Sequence, residues 1–164
     1  MEITSRWTLT GDRGGSINEK KSYVVNGVEY KVDGKHVVLK PTEREKTVAA
    51  ILSQTYGKTI EFVPQILLPP GIQTPDYLID GERFDLKTLT GRGKNLLYGA
   101  IAKQKRQAHN FIVDVTNCPL ETEELERQIK ALYRSPRLGF LETLVLMKNG
   151  EVLKVYARKQ RNRS

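Results

Sequence analysis

The Asp80-Gly81 pair constrains this chain more than any other dipeptide. Both residues tolerate positive φ, and the flanking branched and aromatic residues predict a β-hairpin closed by a two-residue turn. The turn sets a register. Counting outward, Ile79 faces Glu82, Leu78 faces Arg83, Tyr77 faces Phe84 and Asp76 faces Asp85. Alternation places Tyr77, Ile79, Phe84 and Leu86 on an apolar face, and Asp76, Arg83, Asp85 and Lys87 on the other with Leu78. Directly opposed carboxylates repel, so Asp76 against Asp85 calls for a cation between them or a carboxyl that stays protonated. The plainer alternative is a solvated face on which Arg83 and Lys87 neutralise the acids.

Similar punctuation recurs elsewhere. Asn26-Gly27 and Asp33-Gly34 separate three short segments, 22–25, 28–32 and 35–40, and predict a small three-stranded β-meander after a loosely ordered lead-in over residues 1–18. Thr42 and Glu45 have capping-box spacing at the start of a helix that Gly57 ends, with Val48, Ala49, Ile51, Leu52 and Thr55 as its buried stripe. A second helix is expected from Asn95 to Ala108, a buried strand at 111–116 and a third helix from Thr122 to Tyr133. Asn149-Gly150 closes a final hairpin, in which an uninterrupted register pairs Leu146 with Leu153 and Leu144 with Val155 as core. The same register pairs Thr143 with Tyr156 and Val145 with Lys154 on the opposite face.

At 164 residues the chain fits one main domain, here 41–160, with residues 1–40 as an appendage and 161–164 as a basic tail. Its 27 Lys and Arg against 19 Asp and Glu give a formal charge of +8, a field that attracts polyanions. No apolar run reaches the roughly 18 residues of a membrane span. The lone Cys118 excludes an intramolecular disulfide and reads as a buried, inert thiol. The segment from Thr88 to Lys94 is hydroxylated, glycine-rich and cationic, and is expected to be a flexible loop that can wrap a phosphate with Arg92 and Lys94. Lys103 and Arg106 extend that basic surface along the second helix, and Arg158 continues it near the C-terminus.

The segments EREKTVAAIL, PDYLIDGERFDLKT, KQKRQAHN and VLMKNGEVLKVYARK, in that order, resemble the CdiA C-terminal nuclease domain family. That family includes tRNA-cleaving toxins of contact-dependent growth inhibition, with related domains on phage and mobile-element proteins. The resemblance implies an α+β fold, an antiparallel sheet with packed helices like the barnase, EndoU, colicin and RelE ribonucleases. It also implies RNA, and tRNA in particular, as partner, a cytoplasmic site of action, a cognate immunity protein and a reaction without a cofactor. Such a ribonuclease needs a base for the ribose 2′-hydroxyl, an acid for the leaving oxygen and cations for the phosphorane. The residues able to meet those needs are His109 as base or acid, Lys87, Lys154 and Arg158 as charge stabilisers, and Thr88, Thr143 and Tyr156 as hydroxyl donors.

Pro75-Asp76 with Asp85-Leu86-Lys87 also resembles the PD-(D/E)XK nucleases. There the two acids hold Mg²⁺ and the lysine positions or activates water, so Asp76 and Asp85 become metal ligands. A third possibility is a noncatalytic nucleic-acid-binding module whose basic surface is its whole function.

Overall fold

A computed structural model describes residues 14–104 and 107–158, together with the backbone of a short strand at 3–5. In chain order the strands are β1 (Ile3–Ser5), β2 (Ser16–Glu19), β3 (Ser22–Val25), β4 (Val28–Lys31), β5 (Val37–Val38), β6 (Thr59–Phe62), β7 (Gln65–Ile66), β8 (Tyr77–Ile79), β9 (Glu82–Thr88), β10 (Asn110–Asp114), β11 (Thr143–Lys148) and β12 (Glu151–Ala157). The α-helices are α1 (Glu43–Tyr56), α2 (Leu96–Ile101) and α3 (Thr122–Arg134). Arg106 and the basic tail from residue 159, both expected to contribute to the cationic surface, lie outside the described residues. The fold is α+β, with two parallel strand pairs added to the expected antiparallel ones. Contacts divide it into two compact units, one of residues 8–85 and 106–108, the other of 1–7, 86–105 and 109–164.

In the first unit β2, β6, β8 and the start of β9 are neighbours, β2 running parallel to β6 and the others antiparallel. The capping box forms as its spacing requires: Glu45 N–H donates to the Thr42 hydroxyl and Thr42 N–H to the Glu45 carboxylate, both at 3.1 Å. Gly57, at φ 65°, ends α1 in the left-handed region. The buried stripe is Val48, Ala49, Leu52, Ser53 and Tyr56; Ile51 is half-buried and Thr55 exposed, so the stripe is rotated from the expected one. Strands β3 and β4 form the predicted hairpin at Asn26-Gly27. The next segment departs from a simple meander. The Asp33 carboxylate accepts the N–H groups of Lys35, His36 and Val37 at 2.8, 2.7 and 2.9 Å, and β5 pairs antiparallel with β7. Those three bonds hold Asp33 well below the usual carboxylate range.

In the second unit β1, β12, β11 and β10 lie side by side, with the end of β9 beyond β10. Strand β10 runs parallel to β11, and β11 antiparallel to β12. Phe111, Ile112, Val113, Leu144, Val145 and Leu146 are all buried, so these central strands are covered on both faces. Helix α3 supplies Leu125, Ile129 and Leu132 to the core, as its periodicity predicts. Helix α2 is shorter than expected, stopping at Ile101 and tightening into a 3₁₀ turn over Ala102–Gln104. Gly99 weakens its middle, and no side chain caps its start at Asn95. The carboxylate within the buried strand β10 is accommodated locally: Asp114 Oδ1 accepts the Thr116 N–H at 3.0 Å and the Thr116 hydroxyl at 2.6 Å.

The final hairpin contains the largest correction to the sequence reading. Its turn sits at Asn149-Gly150 and Met147 faces Val152, but Leu146 faces Lys154, leaving Leu153 as a β-bulge. Beyond the bulge every pair is displaced by one residue. Leu144 faces Tyr156 and Thr143 faces Ala157, so Thr143 and Tyr156 are on opposite faces of the sheet instead of paired on one.

Candidate active site

The β8–β9 hairpin keeps the predicted register, with Tyr77 opposite Phe84, Leu78 opposite Arg83 and Ile79 opposite Glu82. One step further out, Asp85 is buried and turns its Oδ1 to the backbone N–H of Asp76 at 2.9 Å. One acid of the opposed pair therefore also fixes the backbone that carries the other. Both residues have further interactions around them. Tyr77, fully buried, donates its hydroxyl to the Glu45 carbonyl at 2.7 Å and so ties the first turn of α1 to the hairpin. Burial pushes the Tyr77 phenol far above its ordinary range, and the carboxylates of Glu45 and Asp76 push it further. Glu45 and Asp76 also line one cavity of about 280 Å³, beside Lys40 and Thr74. The Thr74 hydroxyl donates to the Pro64 carbonyl at 2.9 Å, anchoring the segment that leads into Pro75-Asp76.

Asp76 and Asp85 supply hard oxygen donors on adjoining stretches of backbone. Among the described residues no group of three or more His, Cys, Asp or Glu is placed to enclose a metal. The donor set fits Mg²⁺ in its common protein mode, in which one or two carboxylates share the ion with water and substrate phosphate. Lys87 follows Asp85 by two residues in the uninterrupted strand β9 and is half-buried.

The other expected site residues fall in the second unit, dispersed along its sheet. His109 immediately precedes β10, half-buried, with its ring 5.9 Å from that of Phe140. Its carbonyl accepts the Glu142 N–H at 2.7 Å, which brings it to the end of β11 where Thr143 stands. Thr143 N–H donates to the buried Asn110 side chain at 3.1 Å. Thr88 is exposed at the end of β9. Lys154 pairs with Glu126 of α3 at 3.3 Å and stands over the Tyr156 ring. Arg158 lies across the Tyr133 ring, and its guanidinium donates to the carbonyls of Leu141, Leu138 and Tyr133 at 2.9, 3.0 and 3.4 Å.

Tyr156 is wholly buried, and its hydroxyl has no hydrogen-bond partner among the described residues. Burial, then the Glu126 carboxylate, pushes its phenol up to about 12. A buried hydroxyl without a partner carries an unrecovered desolvation cost. Tyr156→Phe is therefore expected to leave stability unchanged or raise it by about 1 kcal/mol, and to leave RNA cleavage at the wild-type rate. Urea unfolding and a cleavage time course check the two parts; loss of cleavage with the fold intact would restore Tyr156 to the site.

The cationic segment after β9 is held far more firmly than its composition suggests. Leu89 N–H donates to the Asp114 carbonyl, and the Gly91 carbonyl accepts the Cys118 thiol at 3.4 Å. Gln128 Nε2 donates to the Gly93 carbonyl at 2.9 Å while its Oε1 accepts the Leu97 N–H at 3.1 Å. Arg127, gripping Glu124 at 2.6 and 2.7 Å, also donates to the Lys94 carbonyl at 3.2 Å. Hydrogen bonds from Arg127 and Gln128 hold Glu124 at about 2. Arg92, Lys94 and Lys103 are left exposed. Sequence reasoning did not single out Gln128, although a polar residue on the buried stripe of Leu125, Ile129 and Leu132 was the available signal.

These features define an α+β domain with a paired-acid hairpin and a pinned cationic loop. Residues 73–152 match the family model of the contact-dependent growth inhibition CdiA C-terminal domain. The matched span includes both acids and the cationic loop and stops before Lys154, Tyr156 and Arg158. Its fold is similar to a chain of the CdiA-CT/CdiI toxin and immunity complex from Burkholderia pseudomallei, with a TM-score of 0.54 and 19% identity, covering 88% of this chain and 100% of that one. Among curated proteins none matches the sequence significantly. Among the described residues no helix is long and apolar enough to cross a membrane.

Proposed function

We propose that this chain is a toxin-type nuclease that hydrolyses RNA, with tRNA as its target, at the Asp76–Asp85 hairpin with the help of a divalent cation. The observation that carries this reading is the Asp85 carboxylate bonded to the Asp76 backbone, with Asp76 and Glu45 lining one cleft. Asp76 and Asp85 would hold the cation, with Asp85 also fixing the main chain on which Asp76 rides. A divalent cation bound there supplies a Lewis acid for the phosphoryl oxygen and lowers the pKa of bound water toward neutrality. Lys87 offers positive charge to the phosphate undergoing attack, as in the PD-(D/E)XK resemblance. Within the second unit, Arg92 and Lys94, carried on a loop fixed from behind, would bind phosphates of the RNA, with Lys103 extending that basic surface. A cognate immunity protein is proposed from the toxin–immunity pairing named for the structural neighbour. With the chain at +8, that partner would present an acidic surface. The site of action would be the cytoplasm of the target cell.

One observation favours the cofactor-free ribonuclease as second reading: the Glu142 N–H on the His109 carbonyl brings an imidazole and the Thr143 strand end together. Purified protein incubated with total tRNA and with single-stranded DNA, in Mg²⁺ and in EDTA, separates the two. Cleavage is expected in Mg²⁺, to be lost in EDTA and to return with added Mg²⁺. EDTA-resistant cleavage of RNA with complete resistance of DNA would establish the second reading, because the ribose 2′-hydroxyl is then the nucleophile. No cleavage of either nucleic acid would leave a binding module.

A further inference from the structure

We propose that the cleft beside Asp76 holds one unstacked nucleobase of single-stranded RNA and reads its edge with the side-chain amides of Gln65, Gln73 and Gln107. These glutamines come from three separate segments, the β7 strand, the loop before Pro75 and the stretch just ahead of β10, and all line the cavity of about 280 Å³. Gln65 and Gln73 are exposed and Gln107 is half-buried, so their amides are accessible to a ligand. Each amide offers both a donor and an acceptor, the combination that a base edge presents in return.

The remaining walls match a base better than a phosphate. Phe62, Ile66 and Ile72 supply apolar surface for a flat ring, and Leu67, 54% exposed, stands at the rim. Glu45 is in the same lining, and its carboxylate disfavours an anionic group lodged among the amides but can accept an exocyclic amine. The cavity lies just below the roughly 300–1,000 Å³ of drug-sized ligand sites, a scale suited to a single base and its sugar. A base inside a duplex cannot reach such a pocket without leaving the stack, whereas loops and ends of folded RNA present unstacked bases at little cost.

The test is equilibrium binding of the full chain to labelled five-nucleotide oligo-A, oligo-C and oligo-U in EDTA, read by fluorescence anisotropy. The tightest and weakest ligands are expected to differ by about tenfold or more, as a two-point hydrogen-bonded readout gives. The double variant Gln73→Ala, Gln107→Ala should flatten that difference to within about threefold, while the slope of affinity against salt stays unchanged because phosphate contacts are untouched. Equal affinities in the wild type, or a preference that survives the double substitution, overturns the proposal. The idea rests on Asp76 belonging to the nuclease centre, yet binding in EDTA requires no cleavage. Flat affinities together with Asp76-dependent cleavage would remove the base pocket alone. Sharp, glutamine-dependent discrimination without cleavage would remove the nuclease and keep the pocket.

Discussion

Asp85→Asn is expected to reduce RNA cleavage by on the order of a thousandfold with the fold intact, since losing the cation removes several kcal/mol of transition-state stabilisation. Asparagine retains an Oδ1 able to accept the Asp76 N–H, now made at 2.9 Å, so the hairpin keeps its local geometry while the charge disappears. Asp76→Ala should reduce the rate to a similar extent. Single-turnover cleavage of tRNA measures the effect, and circular dichroism with a thermal melt verifies folding. Wild-type rates in either folded variant would exclude the acid pair from the chemistry and return attention to His109 and Thr143. Removing Mg²⁺ should reproduce the phenotype of both variants and add little to it, because substitution and chelation act on the same interaction.

Arg158→Ala should destabilise the protein by about 3 kcal/mol, because three main-chain carbonyls lose a charged donor at once. The guanidinium makes those bonds while lying on the Tyr133 ring, which makes it a clamp within the second unit. Arg158→Lys is expected to recover little of the loss: an ammonium is a compact point charge and cannot span acceptors that a planar fork reaches. Urea unfolding of the three proteins checks this. A variant with unchanged stability but weakened RNA affinity would show that Arg158 contacts the ligand instead.

Local rules foretold the parts of the fold that depend on neighbours in sequence. The turns at Asn26-Gly27, Asp80-Gly81 and Asn149-Gly150 all have their predicted positive φ at both residues, and the Thr42–Glu45 capping box is present. The β8–β9 register followed from its turn alone and placed Asp76 and Asp85 together, because no irregularity intervenes. The same counting failed beyond the Met147–Val152 pair because Leu153, an apolar residue among apolar residues, carries no mark of a bulge. Every residue past it changed sides, which separated Thr143 from Tyr156. The anchoring of the Thr88–Asn95 segment was equally hidden, since Gln128 and Arg127 lie more than thirty residues away in sequence from the carbonyls they hold. Hydrogen bonds of that span are set by tertiary packing, and composition alone suggested only a glycine-rich loop.

That anchored segment has a consequence for the speed of association. A loop that must organise around each incoming anion loses conformational entropy at every encounter and slows productive collisions. Here the main chain at Leu89, Gly91, Gly93 and Lys94 is already fixed, so the ordering cost falls during folding, once per molecule. The RNA ligand proposed above would meet Arg92 and Lys94 on a preset backbone, and its rate of capture would be a matter of diffusion in the field of a +8 chain.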